Sequence, residues 1–470
     1  MSGSLRFGTS GWRAVLAEDF TFENARVVAR AIARFVKHRA ERPRLIVGYD
    51  TRFLAEAFAR ESARILAEEG VDVLLCTEPV PTPVLAYAIV AERAQGGMNI
   101  TASHNPPEYQ GIKFSTEDGA PALPEVTREI EEEIERIRRG ERGRPPRSGA
   151  SGRILALDPR DGYLRDLATK IDVSAIARAR LRVAVDLLWG TARGYLDRAL
   201  REAGCEVHVL HAHRDVLFGG GAPEPSAERL RALSETVASG GFDLGVATDG
   251  DADRFGIVDR GGAFVTPNQV LALLFDYLCD TRPWAGGVAR SVATSHQVDR
   301  AARHRGRPVY ETPVGFKYIG ELLKAGKIIL GGEESAGLSI RGHYPEKDGI
   351  LAALLAVEAV ARTGASVGEQ LDQLYARDGR LWSGRIGIAL TEEARARLQE
   401  KLQADPPADF FGRRIREVNR TDGLKLLFDD DSWVLLRLSG TEPLVRCYAE
   451  ATSEADLEVL LEQGRRFALQ

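Results

Sequence analysis

Cysteine is scarce in this sequence. Its 470 residues include four cysteines, Cys76, Cys205, Cys279 and Cys447, which lie far apart along the chain. Disulfide frameworks and structural zinc sites both use cysteines in closely spaced sets. The spacing therefore argues against both, and we expect a protein of the reducing cytoplasm.

Long apolar runs are lacking as well. The most apolar long segment, residues 350–361, contains Glu358 and is too short to span a bilayer. The first residues, Met1 to Arg6, do not contain the apolar stretch of a signal peptide. We therefore expect no membrane partner, and we predict that residues 350–361 form a buried helix.

Neither sign of charge dominates. The chain has 63 lysines and arginines against 68 aspartates and glutamates, for a net charge of −5. This balance gives no reason to expect nucleic acid or an anionic membrane as a partner. Lysine itself is scarce, with nine residues in the chain. A lysine inside a motif therefore indicates a need for an amine, which can titrate where arginine cannot.

What is present is a repeated alternation of strands and helices. Residues 44–49 and 71–76 have the pattern of buried strands, and they flank a predicted helix, 54–69, that ends at Gly70. A strand–helix–strand unit predicts a parallel sheet with a right-handed crossover. The same alternation returns twice further along the chain. Near the C-terminus, paired strands and a helix from Glu454 predict a smaller α+β unit.

The sequence thus predicts an α/β protein of three similar mixed α/β domains and a smaller C-terminal α+β domain. A segment rich in glycine, proline and arginine, residues 140–152, marks the first boundary. The predicted domains are residues 1–150, 151–258, 259–378 and 379–470.

One loop of the first domain combines three polar side chains. Residues 101–106 (Thr-Ala-Ser-His-Asn-Pro, the serine loop) follow a short apolar strand. Pro106 and the Pro107 that follows it prevent a helix or strand from continuing. The hydroxyl of Ser103 is thereby held on a rigid loop beside an imidazole and an amide. An ordinary turn capped by its own side chains has the same composition, so this loop alone does not decide the chemistry.

The second domain contains an acidic loop. Residues 249–254 (Asp-Gly-Asp-Ala-Asp-Arg, the acidic loop) begin where an apolar strand ends, the usual place for ligand sites in α/β sheets. Three carboxylates on alternate residues can converge on one hard cation, and oxygen ligands at so few positions favour Mg²⁺. A solvated acidic turn is the alternative. A calcium loop is excluded, since its twelve-residue ligand pattern is absent.

Two further loops carry polar groups suited to a sugar phosphate. Residues 331–337 (the glutamate loop) place Glu333 and Ser335 between glycines, where they could hold sugar hydroxyls, although a helix N-terminus explains them equally well. Residues 437–443 (the arginine loop), together with Arg446, offer guanidinium groups, hydroxyls and a glycine, a composition that suits phosphate. The arginine loop also fits a hairpin turn, and the two interpretations are compatible.

In this order along the chain, the four loops resemble those of the α-D-phosphohexomutases. The opening Phe7-Gly8-Thr9-Ser10-Gly11-Trp12-Arg13 is also similar to the opening of that family. The resemblance covers essentially the whole chain. It implies four domains around a central cleft, to which each domain contributes one loop. It also implies that Ser103 is carried as phosphoserine and that one Mg²⁺ binds beside it.

The resemblance assigns roles to individual residues. The catalytic ones are Ser103, the proton-transferring Lys113, His104 and Arg13. The implied metal ligands are Asp249, Asp251, Asp253 and the phosphorylated Ser103. The substrate-binding residues are Arg254, Gly315, Glu333, Ser335, His343 and Lys347. The residues for the non-reacting phosphate are Arg437, Ser439, Gly440, Thr441 and Arg446.

Within the family, Gly-Glu-Glu-Ser followed by His343-x-x-Glu-Lys-Asp-Gly is similar to phosphoglucomutases. We therefore expect reversible interconversion of glucose 1-phosphate and glucose 6-phosphate, through phosphoserine and a glucose 1,6-bisphosphate intermediate that also acts as an activator. A phosphomannomutase or a phosphoglucosamine mutase would use the same mechanism. Two other classes stay open, a phosphoserine-dependent sugar phosphatase and a sugar-phosphate-binding protein without catalysis. The expected partner is a small sugar phosphate, and the expected assembly is a monomer or a homodimer.

Overall fold

The computed structural model describes residues 5–8, 11–141, 151–406, 408–439 and 444–470. Four sheets follow one another along these residues. The first three combine parallel and antiparallel strands with packed helices, and the fourth is antiparallel. The predicted architecture of three α/β domains and a smaller α+β domain is confirmed.

The first sheet is formed within residues 12–157. Its elements are β1 (Trp12–Val15), α1 (Phe22–Lys37), β2 (Arg44–Tyr49), α2 (Ala55–Glu68), β3 (Asp72–Cys76), α3 (Thr82–Ala91), β4 (Gly96–Ile100), β5 (Tyr109–Thr116), α4 (Pro124–Arg138) and β6 (Ile154–Leu157). The strands lie in the order β1-β5-β4-β2-β3-β6, and the predicted parallel crossover from β2 to β3 is present. Because β6 pairs in parallel with β3, this sheet continues beyond residue 150, the predicted end of the first domain.

The second domain carries a five-stranded sheet. Its elements are α5 (Arg160–Ala168), α6 (Val173–Ala179), β7 (Arg182–Asp186), α7 (Leu196–Glu202), β8 (Glu206–Leu210), α8 (Arg231–Gly240), β9 (Leu244–Thr248), β10 (Phe255–Asp259) and β11 (Phe264–Val265). The strand order is β11-β10-β9-β7-β8. The acidic loop connects β9 to its antiparallel neighbour β10, so it lies at the end of a fully buried strand.

The third domain carries a four-stranded sheet in the order β13-β12-β14-β15. Its elements are α9 (Pro267–Thr281), β12 (Gly287–Ser291), α10 (Gln297–His304), β13 (Val309–Thr312), α11 (Phe316–Lys324), β14 (Ile328–Glu333), β15 (Gly337–Ile340), α12 (Gly349–Thr363) and α13 (Val367–Asp378). The glutamate loop is the tight connection between β14 and β15.

The fourth domain is a six-stranded antiparallel sheet with two flanking helices. Its elements are β16 (Trp382–Ala389), α14 (Glu392–Gln403), β17 (Asp409–Phe410), β18 (Arg413–Asn419), β19 (Leu424–Phe428), β20 (Trp433–Leu438), β21 (Leu444–Ala451) and α15 (Glu454–Leu469). The strand order is β16-β21-β20-β19-β18-β17. The arginine loop connects β20 to β21.

One apolar core is shared by the first three domains. A single cluster of buried side chains includes Val84 from the first domain, Val185 from the second and Leu351 from the third. Helix α12 lies in this core, since residues 349–360 are all buried, which confirms the buried helix predicted there. Over the residues that the structure covers, no single helix is long and apolar enough to cross a membrane, although α12 and α13, bent by 79° at their junction, have the length and composition together.

The fourth domain has a core of its own. Leu426, Leu436 and Val445 pack together within its sheet and under α15. A smaller apolar cluster, which includes Val292 and Trp433, joins this domain to the third. The four loops therefore project from four sheets that are held against one another by buried apolar contacts.

Candidate active site

The serine loop and the acidic loop are in direct contact. Ser103 follows the buried end of β4, is 1% exposed and has a left-handed backbone with φ of 55°. Its Oγ donates a hydrogen bond to Asp249 Oδ2 at 2.9 Å. Gly250 has to be glycine at this junction, because a Cβ there would lie 2.7 Å from the carbonyl oxygen of Ser103. The two loops thus place a hydroxyl against a carboxylate from another domain.

Arg52 supports the serine loop by binding its carbonyl oxygens, and the sequence analysis did not identify this residue. Its buried guanidinium donates to the carbonyl oxygens of Ser103, Asn105, Pro106 and Tyr109 at 2.6 to 3.1 Å. A buried ion pair with Asp50, at 3.1 Å, balances its charge. The available signal was the Asp-Thr-Arg triplet directly after β2, at the sheet edge where ligand sites usually lie.

The three aspartates of the acidic loop form a buried cluster. One oxygen from each of Asp249, Asp251 and Asp253 lies within 4.8 Å of the others. Oδ1 of Asp251 and Oδ1 of Asp253 have no hydrogen-bond partner in the described structure, although both are buried. Buried carboxylate oxygens without partners are costly, and an all-oxygen set suits a hard divalent cation. The cluster could therefore bind a metal, and its chemistry fits Mg²⁺.

Two lysines approach the same cluster. Lys113 Nζ lies 2.6 Å from Asp251 Oδ2 and 2.7 Å from Asp253 Oδ2, and Lys347 Nζ lies 3.1 Å from Asp253 Oδ2. Burial opposes ionisation of Asp253, but these ammonium groups outweigh it and hold its pKa well below the usual value. Burial, with the charges of Asp253 and Asp251, raises the pKa of Asp249 well above its usual value. The two lysines therefore stabilise the ionised form of Asp253.

Arginines surround the other side of Ser103. Arg13 Nη1 donates to Asn105 Oδ1 at 2.6 Å, and Arg254 Nη2 lies 3.3 Å from His104 Nε2. His104 Nδ1 in turn lies 3.4 Å from Ser103 Oγ. Burial, together with the charges of Arg254 and Arg13, lowers the pKa of His104 well below its usual value. The imidazole is therefore neutral at physiological pH, and the two guanidinium groups supply the positive charge here.

The glutamate loop is held by the third domain's own backbone. Glu333 Oε1 accepts a hydrogen bond from the N–H of Gly315 at 2.7 Å. Burial, with the neighbouring Glu334, raises the pKa of Glu333 to about 7. Ser335 sits in the turn that follows and is half-buried.

A cavity of about 220 Å³ lies between the second, third and fourth domains. Its polar lining includes Glu224, Arg254, Glu334, Ser335, Arg385 and Tyr448. Glu224 accepts from Arg254 Nη1 at 3.0 Å and lies 3.6 Å from Arg385 Nη2, so it links the acidic loop to the fourth domain. Sequence reasoning missed Glu224, which has only a short Pro-Glu-Pro segment to mark it.

Of the predicted substrate-binding residues, Arg254 and Ser335 line this cavity, whereas His343 lies elsewhere. Its side chain is fully buried, and its Nε2 lies 2.9 Å from Asp348 Oδ2. The same carboxylate oxygen accepts a hydrogen bond from the hydroxyl of Tyr163 at 2.7 Å. His343 therefore packs at the junction of the second and third domains and does not line the cavity.

The arginine loop presents two guanidinium groups side by side. Arg437 on β20 is the direct cross-strand neighbour of Arg446 on β21. Arg437 Nε donates to Asp422 Oδ2 at 2.8 Å, and two guanidinium groups at neighbouring strand positions suit a phosphate. Ser439 is buried, and its N–H donates to the carbonyl of Leu444 at 3.0 Å. Gly440 and Thr441 lie outside the described residues.

Family comparisons cover almost all of the chain. Models of the phosphoglucomutase/phosphomannomutase family match it in four parts. The alpha/beta/alpha domains I, II and III match residues 4–141, 161–262 and 266–377, and the C-terminal domain matches residues 388–466.

Individual relatives match this chain over nearly its whole length and over nearly the whole of their own. A phosphoglucomutase/phosphomannomutase of Thermococcus kodakarensis is 33% identical over 97% of each chain. A probable phosphoglucosamine mutase of Methanosphaera stadtmanae is 30% identical over 98% of this chain and 97% of its own. The crystal structure of a Thermus thermophilus protein, named as a phosphomannomutase, has a TM-score of 0.86 with 36% identity over 99% of each chain. The chain therefore belongs to the phosphoglucomutase/phosphomannomutase family and is a phosphohexomutase.

Proposed function

We propose that this phosphohexomutase interconverts glucose 1-phosphate and glucose 6-phosphate. The observation that supports the mechanism best is the contact of Ser103 Oγ with Asp249, at 2.9 Å, beside a buried three-carboxylate cluster. The choice of glucose follows from the likeness of the glutamate loop and the His343–Gly349 segment to phosphoglucomutases.

In the proposed reaction, Ser103 carries the phosphoryl group that is transferred. A sugar hydroxyl oxygen attacks the phosphorus, and the bond from phosphorus to Ser103 Oγ breaks. Lys113, held as an ammonium between Asp251 and Asp253, is the proposed proton-transfer residue: it would give a proton to the leaving Ser103 Oγ and take up the proton of the attacking hydroxyl in its place. Asp249, Asp251 and Asp253 would hold Mg²⁺, which neutralises charge on the transferring group when it is bound.

The product of the first step is glucose 1,6-bisphosphate, which we propose turns round in the cleft. The phosphoryl group that the substrate carried at the start is then transferred to Ser103 Oγ. The enzyme thus ends as phosphoserine, and no phosphate is lost. Glu333 and Ser335 would hold ring hydroxyls in both orientations. The proposed ligands of the remote phosphate are Arg437, Ser439, Gly440, Thr441 and Arg446. A simple phosphatase has no need of this second phosphate site.

A kinetic comparison tests the choice of substrate. The 1-phosphates of glucose, mannose and glucosamine are compared in the presence of Mg²⁺, with free phosphate measured in parallel. We expect kcat/KM to be at least about tenfold higher for glucose, no accumulation of free phosphate, and loss of turnover in excess EDTA. Faster turnover of mannose or glucosamine phosphate would refute the choice of glucose. Stoichiometric release of phosphate would refute a mutase.

We also propose the reducing cytoplasm as the place where this enzyme works. All four cysteines are free thiols, and Cys76, Cys205 and Cys447 are buried. Burial raises the pKa of the Cys76 thiol to about 12, which makes it unreactive. The cysteines therefore serve as small apolar side chains.

A further inference from the structure

Asp422 lies where the third and fourth domains meet. It occupies the turn between β18 and β19, and its side chain is 25% exposed. Its Oδ2 accepts a hydrogen bond from Arg437 Nε at 2.8 Å and another from the backbone N–H of Val314 at 3.1 Å. One carboxylate oxygen therefore joins the arginine loop to residues 312–315 of the third domain (the third-domain segment).

The connection continues from this segment to the glutamate loop. The N–H of Gly315, next to that of Val314, donates to Glu333 Oε1 at 2.7 Å. Gly315 has φ of 131°, a conformation that favours glycine, and it lets consecutive N–H groups reach two different carboxylates. Side chains and backbone thus form an unbroken series of contacts from Arg437 to Glu333.

The bond to Asp422 also sets the direction of the arginine. A guanidinium group is planar and carries its donors in a fixed fork, so a partner at Nε determines where the two Nη groups point. Because the pair is charged, it is stronger than a neutral hydrogen bond. Asp422 therefore acts on the geometry of Arg437 through the Nε–H group.

We propose that Asp422 is a positioning residue for substrate recognition. It holds Arg437 and the third-domain segment at one separation, so that a hexose phosphate is selected by the span between its phosphate and its ring hydroxyls. The inference rests on the proposed function, since it takes Arg437 as a phosphate ligand and Glu333 as a ligand of hydroxyls. Two binding groups held at a fixed distance lose less freedom when a rigid ligand bridges them, which strengthens binding.

Substitution of Asp422 tests the proposal. Asp422→Ala removes the shared acceptor, whereas Asp422→Asn keeps an oxygen but loses the charge. We expect Asp422→Ala to raise KM for the hexose 1-phosphate substrate about tenfold, with kcat changed less than about threefold, and Asp422→Asn to be intermediate. The matched control is Asp456→Ala, which removes an aspartate paired with Arg413 at 2.7 Å in the same domain and should leave KM unchanged.

Two further measurements separate positioning from a general loss of stability. On an Arg437→Ala background, Asp422→Ala should raise KM by less than about twofold, because the two residues act as a unit. Hydrogen exchange at the Val314 amide should become faster in Asp422→Ala and stay unchanged in Asp456→Ala. Inorganic phosphate, which has no ring hydroxyls to contact Glu333, should bind about threefold more weakly to Asp422→Ala.

The outcomes distinguish this proposal from the proposed function. Equal KM values for Asp422→Ala and Asp456→Ala, or independent losses in the double variant, would overturn the positioning role. A wild-type enzyme that turns over no glucose phosphate would instead refute the proposed substrate. In that case, the positioning role is tested by measuring the affinity for inorganic phosphate by calorimetry. Equal affinities of the wild type and Asp422→Ala would overturn the proposal.

Discussion

Ser103 and Asp249 are 146 positions apart in the chain, yet their side chains are in hydrogen-bond contact. Each residue follows a buried strand of its own domain, and neither makes the site without the other. Phosphoryl transfer needs positioning and charge neutralisation more than it needs covalent chemistry from the protein. The buried hydroxyl of Ser103 provides the positioning. The three carboxylates and two lysines beside it are the protein's contribution to charge neutralisation.

Ser103→Ala should lower turnover at least about a thousandfold, because the proposed phosphoryl acceptor is lost while no core side chain changes. After incubation with glucose 1,6-bisphosphate, intact-protein mass spectrometry should find one added phosphoryl group on the wild type and none on the variant. Ser335→Ala is the control, since it removes a hydroxyl of the glutamate loop and should still be phosphorylated. A phosphoryl group on Ser103→Ala would contradict the assignment.

Glu333→Gln should stabilise the protein more at pH 8 than at pH 5. Burial raises the pKa of Glu333 from 4.5 to about 7 in the folded protein, so the unfolded chain loses this proton first as the pH rises. Ionisation of the buried Glu333 therefore lowers the free energy of unfolding little below about pH 4.5 and to its full extent above about pH 7. Glutamine avoids that cost, which is on the order of 1–3 kcal/mol, while activity falls.

Denaturant unfolding of both proteins at pH 5 and pH 8 measures this difference. The Gly315 N–H can still donate to the amide oxygen of glutamine, so the variant keeps its local contact. A stability difference that is the same at both pH values would show that the carboxyl group of Glu333 titrates normally.

At the scale of elements, the loops rather than the helices and strands determine the chemistry. The serine loop is tied down by one buried arginine that reaches four carbonyl oxygens. Removal of Arg52 would take a hydrogen-bond donor away from each of these four carbonyl oxygens. The position of Ser103 is therefore a property of Arg52 as much as of the loop's own residues.

Arg52→Lys should destabilise the protein by about 2–4 kcal/mol and lower kcat, because an ammonium keeps the charge opposite Asp50 but cannot reach all the carbonyl groups. Unfolding in denaturant and hydrogen exchange over residues 103–109 check both effects. Arg64→Lys is the control, since Arg64 lies in an exposed pair with Glu61 and its replacement should have little effect. Equal stability of the two variants would show that Arg52 does not hold the loop.

The start of α7 shows how contacts within one domain modify a local pattern. The helical pattern of residues 192–203 predicts a helix over that whole range, but α7 begins at Leu196. The N–H of Thr191 bonds to the carbonyl of Gly250, and Asp197 Oδ1 accepts from the N–H of Gly194. The first residues are thus held against the acidic loop in a turn, which delays the helix.

At the scale of the whole molecule, the arginine loop distinguishes a mutase from a phosphatase. Arg446→Ala should raise KM for glucose 1-phosphate and lower kcat/KM at least about tenfold, since a charge-assisted phosphate contact is lost. The bisphosphate intermediate should escape more readily, so activity should depend more on added glucose 1,6-bisphosphate.

Steady-state kinetics with and without added bisphosphate measure both effects, and phosphorylation of Ser103 serves as the control because it should survive. If KM and the dependence on bisphosphate both stay unchanged, the arginine loop is only a hairpin turn.

The sequence by itself determined where the reactive groups lie along the chain. Short apolar strands that end in polar loops identify the serine, acidic, glutamate and arginine loops, because strand ends and loop composition are local properties. The resemblance to the phosphohexomutases identified Lys113, the scarcity of lysine supported that choice, and the structure places Lys113 on Asp251 and Asp253. The fold class followed from the alternation of strands and helices.

Only the tertiary structure decided how these groups meet and in which charge state. Three features of the site depend on residues from other elements. They are the burial of His343 against Asp348, the neutral imidazole of His104, and the support of the serine loop by Arg52. The shared carboxylate of Asp422 does as well. Burial and electrostatic shifts are sums over neighbours that are distant in the chain, so no local pattern encodes them.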